Sequence, residues 1–302
     1  MNTKNNQINA SKNLGKLPTW DLKDLYPSQN DKSLNRDLNN IRDDTLKFEK
    51  KYLNKVKTLS ADNLYKAINQ LEQIDVLMDK VLSYAHLLVA EDGNNEKNKI
   101  FYQQMQEKIT KYASSIIFFT LELNQIPEKQ ISKLVKNQKL QIYKNWIINK
   151  RSFKPYQLDL KIEKILQDKS ITSHSAWIRL FDDIIASLKF PFKKEELTSA
   201  QIFNYMSDKN ESTRKLAAKS VGKVLGSNIK IFSTITNTLA KDKSINDSWR
   251  KLPTPVSARN LSNVVEDSVV DSLVSSVTEY YPKLSHRYYA LKAGWFKKKH
   301  LM

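Results

Sequence analysis

Chains turn where glycine or proline lets them, and this one has few such places: glycine numbers 5 and proline 8 in 302 residues. Scarce punctuation disfavours a fold of many short strands and favours long helices. The apolar residues keep a helical period. Leu64, Ile68, Leu71, Ile74, Met78, Val81, Ala85 and Leu88 recur every three or four positions, which places them on one face of a helix that Ser60 can cap. The run EDGNN then ends that helix at Gly93. Phe101, Met105, Ile109, Tyr112, Ile116, Phe119 and Leu123 repeat the spacing. Two long amphipathic segments across so short a turn predict an antiparallel helical hairpin.

Pro127 opens a further helix, and helical stretches are expected at 128–137, 158–169 and 173–187. Thr198 with Gln201 forms a capping-box pattern that opens the next one. Between them, in LKFPFKKEEL, Leu188, Phe190 and Phe192 alternate around Pro191, which predicts a short extended piece or hairpin at an edge position. Later, Asn263 with Glu266 resembles an N-terminal cap, and Val270, Leu273, Val277, Tyr281, Leu284, Tyr288, Leu291 and Trp295 carry one apolar stripe that Pro282 should kink or split. The expected fold is mainly α, built of long antiparallel helical hairpins, with at most one short hairpin or edge strand near 188–197. No repeat of 20 to 50 residues emerges, which argues against a solenoid.

Charge narrows the partners less than its size suggests. Lysine and arginine total 50 against 32 acids, a formal charge of +18, but the lysines are interleaved with acids, as in KFEKKY and FKKEEL. That pattern reads as a solvated surface, so no specific nucleic-acid binding is expected. Cysteine is absent, which excludes disulfides, thiolate metal sites and cysteine nucleophiles and fits a reducing cytosol. The opening MNTKNNQINASKNLGK lacks the apolar stretch of a secretory signal, and SIIFFTL and HLLVA fall far short of the ~20 residues a membrane span needs. A cytoplasmic protein with a disordered stretch at 1–16 and no membrane partner is expected.

Residues able to do chemistry are few and scattered. None of the four histidines, His86, His174, His286 and His300, has a histidine or acid at metal-ligand spacing, and H-E-x-x-H is missing. His86, one residue past the stripe at Ala85, reads as a packed helix histidine. His174 beside Ser173 and Ser175 does not make a nucleophile and base, because adjacent helical positions point apart. Asp182 and Asp183 read as salt-bridging residues facing Arg179 and lysines, with Trp177, Phe181, Ile184 and Leu188 beside them as core. Gly222 and Gly226 in VGKVLGS lack the Lys-Ser/Thr ending and the preceding strand of a phosphate loop. The basic run from Lys297 to His300 reads as a lysine-rich helix end or loop. On the residues alone, no catalytic or metal-ligating position is assigned, and the substrate-binding residues stay unknown.

Several stretches together resemble one family. LPTWDLKDLYPS, SYAHLLVAEDGNNEKNK followed by IIFFTLELNQI, EKILQDKSITSHSAWIRLFDDIIASLKF and VVDSLVSSVTEYYPKLSHRYYALKAGWF match, in order, the oligoendopeptidase F family of zinc metallopeptidases, from about Leu17 to Phe296. The resemblance implies a largely helical cytoplasmic enzyme that cuts short peptides. It also implies a zinc, held by the H-E-x-x-H histidines and a distant glutamate, that polarises the scissile carbonyl while the motif glutamate takes a proton from the bound water.

In that family the zinc helix lies well beyond the R-Y-Y-x-L-K-A segment, whereas this chain stops a few residues past Tyr288, Tyr289 and Ala290. The resemblance therefore implies a non-catalytic N-terminal portion: an N-terminal helical domain over 17–190 and the start of the peptidase domain over 191–302. The ending LKAGWFKKKHLM, where a helical rhythm is still running, reads as a truncation. Such a chain should be inert alone and bind no zinc itself. A separately encoded catalytic half is its candidate partner, and short peptides are the substrates of the intact enzyme. The rival readings are a basic helical binding protein for nucleic acid or acidic partners, and an adaptor that keeps a peptide-binding shape without catalysis.

Overall fold

The computed structural model describes residues 20–299. The expected disordered stretch at 1–16 and His300 of the basic run lie outside the described residues.

Three long helices make the first layer of packing. Helix α1 (Lys32–Tyr52) is capped by Asp31, whose side chain accepts from the Ser33 N–H, and buries Leu34, Leu38, Ile41, Thr45, Phe48 and Tyr52 along one face. Helix α2 (Ala61–Glu91) starts on the expected Ser60 cap, which accepts from the Asn63 N–H. Helix α3 (Glu96–Ile116) starts on Asn95, so the predicted hairpin forms across residues 92–95. The α1 segment carries the same kind of stripe, yet it did not figure among the expected helices; its remaining faces are charged, and it is docking on α2 and α3 that gives its stripe a purpose.

The second hairpin helix was expected to run on to Leu123, but it breaks at Ile117 and resumes as α4 (Phe118–Gln125). Along α4, Phe118, Phe119, Leu121, Glu122, Leu123 and Asn124 are all buried, so most of its surface faces protein and it does not continue the amphipathic line of α3. The turn brings Glu122 beneath the link between α1 and α2. There its carboxylate accepts the N–H groups of Asn54 (2.6 Å) and Val56 (3.1 Å), and Asn54 sits at φ 62°. Phe48 fills the space between, its ring 5.4 Å from Phe119 and 6.0 Å from Phe118.

Shorter helices then close this core: α5 (Glu128–Leu134) after Pro127, α6 (Lys144–Ser152), α7 (Leu160–Lys169) and α8 (His174–Ser187). The expected apolar core on α8 is a correction. No residue of α8 is buried, and Phe181 is 42% exposed even though its ring lies edge-on to Phe232 at 5.7 Å.

The strand-like segment forms an antiparallel hairpin of β1 (Phe190–Phe192) and β2 (Glu195–Leu197), with Phe190 opposite Leu197 and Lys193 at φ 57° in the turn. In a two-stranded sheet both strands are edges, so Pro191 breaks no interior ladder. The Thr198–Gln201 capping box forms and opens α9 (Ser199–Tyr205). Phe190, Phe192, Leu197, Ile202, Ala217 and Val221 then make a second small core with α10 (Glu211–Ser227).

Helix α11 (Ile229–Arg250) ends at Lys251 with φ 58°, and α12 (Ser257–Ser262) follows. Here the expected N-cap is wrong. Asn263 terminates α12, and α13 (Asp267–Tyr280) begins after Glu266, whose side chain makes no capping bond. The reversal at Val264 (φ 54°) separates the two helices, and Asn260 Nδ2 donates to Asp267 Oδ1 at 2.7 Å to hold the new start. Pro282 splits the last stripe as expected: a π-turn over Pro282–His286 precedes α14 (Arg287–Trp295).

Candidate functional site

The described histidines are kept apart from one another by the fold. His86 lies exposed on α2 with its ring 5.6 Å from Tyr102, His174 begins α8, and His286 stacks on Tyr281 at 6.3 Å in the π-turn. Among the described residues, no three histidine, aspartate or glutamate side chains converge where they could hold a metal. The donor set required for zinc does not fit these residues, and no reaction step is derived through one.

Asp183 pairs with Lys99 of α3 at 3.1 Å. Arg179 turns away from both acids, donating instead to Gln106 Oε1 (3.3 Å) and to the Ile171 carbonyl (3.2 Å). Partial burial pushes the Asp182 carboxyl up, Asp183 adds to the shift and His86 opposes it. These contacts stitch α8 to the hairpin; they hold no nucleophile. At the chain's basic end, Lys297 adopts φ 52°, the Lys298 N–H donates to the Ala293 carbonyl at 2.9 Å, and its ammonium pairs with Glu211. Lys298 and Lys215 hold the Glu211 carboxyl down at about 2. Gly222 and Gly226 lie inside α10, with open space where a Cβ would stand.

Two features do bring functional chemistry together. The first is the arm formed by α13, the π-turn and α14, in which Ala293 is the one buried residue among those described. Its stripe stands in solvent: Leu273 is 63% exposed, Leu284 63%, Leu291 52% and Trp295 66%. Between α14 and α10 runs a groove of about 1610 Å³ whose floor includes Met206, Ala218, Tyr289 and Phe296. Charged side chains, Lys209, Glu211, Arg214 and Lys215 among them, also line that groove, so it is the exposed apolar side chains of the arm that mark an interaction face.

The second feature is a cavity of about 380 Å³ between α4, the turn after α6, α7, α11 and α12. Arg250 grips Glu163 there through two parallel bonds of 2.7 and 2.8 Å, while its Nε donates to Asn246 Oδ1 at 2.7 Å. Burial pushes the Glu163 carboxyl up, but Arg250 and the Leu158 N–H more than offset it and hold the group below the usual carboxylate range. Neither Glu163 nor Arg250 stood out in the sequence. Glu163 lies on an ordinary charged helix face, and its partner is 87 positions away.

The sequence model of a family described as Oligopeptidase F matches residues 122–190. Oligopeptidase PepF of Bacillus subtilis (strain 168) is 25% identical over 302 aligned positions, which cover 96% of this chain and 43% of that protein. The crystal structure of oligoendopeptidase-F from Enterococcus faecium superposes with a TM-score of 0.77 at 20% identity, covering 89% of this chain and 54% of that one. A solved chain from Chlamydophila abortus superposes with a TM-score of 0.58 at 17% identity, covering 93% of this chain and 48% of that one. The structural likenesses show a shared fold. This chain spans about half, or less, of the length of the relatives it matches.

Proposed function

We propose that this chain, a relative of the N-terminal portion of oligoendopeptidase F, is the non-catalytic part of a peptidase of that type and walls one side of its peptide channel. Zinc and the catalytic glutamate are supplied in this reading by a catalytic portion that packs on the arm, and no catalytic or metal-ligating role is given to the described residues. The division of the chain into an N-terminal helical domain over 17–190 and the start of a peptidase domain over 191–302 belongs to the same proposal, as do short peptides as substrates and a cytoplasmic setting. Among the described residues no helix is long and apolar enough to cross a membrane.

One observation carries the reading: a stripe of large apolar side chains runs along α13 and α14 with nothing among the described residues folded over it, in a chain that aligns over nearly all its length with a part of a longer peptidase. Burying such side chains is worth about 1.5–3 kcal/mol each, so the face is a strong site for association. The test is a double substitution, Leu284→Asp with Leu291→Asp, at positions where the fold loses no buried contact. The variant should bind less of a hydrophobic dye, and its association with the catalytic portion of the Bacillus subtilis relative should weaken by about a hundredfold. Unchanged dye binding and unchanged association would place the interface elsewhere and overturn the proposal.

A further inference from the structure

Lysines that alternate with acids along the sequence do not alternate in space everywhere. The groove between α14 and α10 gathers basic residues from two distant segments, Lys209, Arg214 and Lys219 on the α10 side and Lys292 and Lys299 on the α14 side. Two carboxylates share the lining. Glu211 is held between Lys215 and Lys298, and Asp208 accepts the Asn210 N–H. Arg214 donates to the Asp208 and Lys209 carbonyls at 2.7 and 3.1 Å, which leaves its charge without a counter-charge. Among the described residues, none of these five cations has a carboxylate within ion-pair distance, so the groove keeps a surplus of positive charge even with Asp208 set against them.

Under that rim the floor is apolar. Met206, Ala218 and Ala290 line it together with Tyr289 and Phe296, whose side chains are 56% and 58% exposed. Leu284, Leu291 and Trp295 do not line it, so the groove lies on another side of α14 from the open stripe. At about 1610 Å³ it exceeds ordinary small-molecule sites, which reach roughly 1,000 Å³, and suits a length of polymer. The sequence before Trp20 has three lysines and no acid, and a second copy of a chain with formal charge +18 is repelled, so neither complements the rim. A nucleic acid would run its continuous phosphates past Asp208 and Glu211, whereas a peptide can space its carboxylates and lay aliphatic side chains on the methionine and alanines.

We propose that this groove binds an acidic amphipathic peptide segment of another protein, its large apolar side chains on Met206, Ala218 and Phe296 and its carboxylates on Lys219 from one wall and Lys292 from the other. Charge steers the segment in and fixes its orientation, and the floor supplies the buried area. The inference does not rest on a catalytic portion packing on the stripe.

The experiment follows fluorescence anisotropy of a rhodamine-labelled peptide, glutamates flanking leucines and a phenylalanine, as the full chain is added at physiological salt. Its glutamine counterpart and an oligothymidylate are titrated alongside. The glutamate peptide should bind saturably, and the other two should bind at least about tenfold more weakly. Lys219→Glu with Lys292→Glu should weaken the glutamate peptide by about tenfold or more, the loss expected for two exposed ion pairs. Ala218→Trp, which fills the floor and leaves every charge in place, should weaken it comparably. Lys57→Glu with Lys161→Glu alters the net charge equally at exposed positions outside the groove and should leave binding unchanged. No saturable binding, equal binding of the glutamine peptide, tighter binding of the oligothymidylate, equal loss in the two double variants, or full binding by Ala218→Trp would overturn the site.

Discussion

The pair between Glu163 and Arg250 joins α7 to the end of α11 and so ties the first core to the later helices. Removing the charge from one partner leaves the other half-buried and unpaired. Glu163→Gln should therefore cost about 2 kcal/mol in denaturant unfolding, a figure kept low because Arg250 retains some contact with water. The pH dependence follows from the same bond. The folded-state pKa of Glu163 lies below its unfolded value, so its contribution is complete above the unfolded value, about 4.3, and is lost as the pH falls through the folded one. Unfolding free energy measured from pH 7 down to pH 3 should show this acid limb in the wild type and a flatter limb in Glu163→Gln. Identical curves would show that the pair contributes nothing to acid stability.

Helices that bury a single face were legible, because period alone reports them: α2, the start of α3, the hairpin around Pro191 and the split at Pro282 all stand where the spacing puts them. The break before α4 was not, since a segment buried over most of its surface has no clear period to interrupt, and the turn at Ile117 brings Glu122 to the N–H groups of Asn54 and Val56. The start of α13 misled for a different reason: Asn263 and Glu266 have capping spacing, but a positive-φ residue at Val264 turns the chain between them. Contacts between distant residues, such as Arg250 on Glu163, leave no local trace. At this scale α10 offers a clean test. Gly222 sits inside the helix with open space at the Cβ position, so Gly222→Ala should stabilise the chain by about 0.5–1 kcal/mol, read as a raised thermal midpoint. A lowered midpoint would mean that the glycine serves a close approach that the isolated chain does not show.

For the molecule as a whole, what matters is where apolar surface is covered and where it is not. Tyr26, Phe48, Phe118 and Phe119 are sealed in the first core and Phe190 in the second, whereas Leu273, Leu284, Leu291 and Trp295 lie open along one arm. The reading of the chain as the non-catalytic part of a peptidase assigns that open face to a catalytic portion that brings the metal. The most direct measurement is hydrolysis of a fluorogenic short peptide, with zinc present, by this chain, by the catalytic portion of the Bacillus subtilis relative, and by the two mixed. Activity is predicted in the mixture and in neither component, because on this reading the catalytic portion brings the metal site and this chain the channel wall. Cleavage by this chain alone, in a preparation free of host peptidases, would contradict the account.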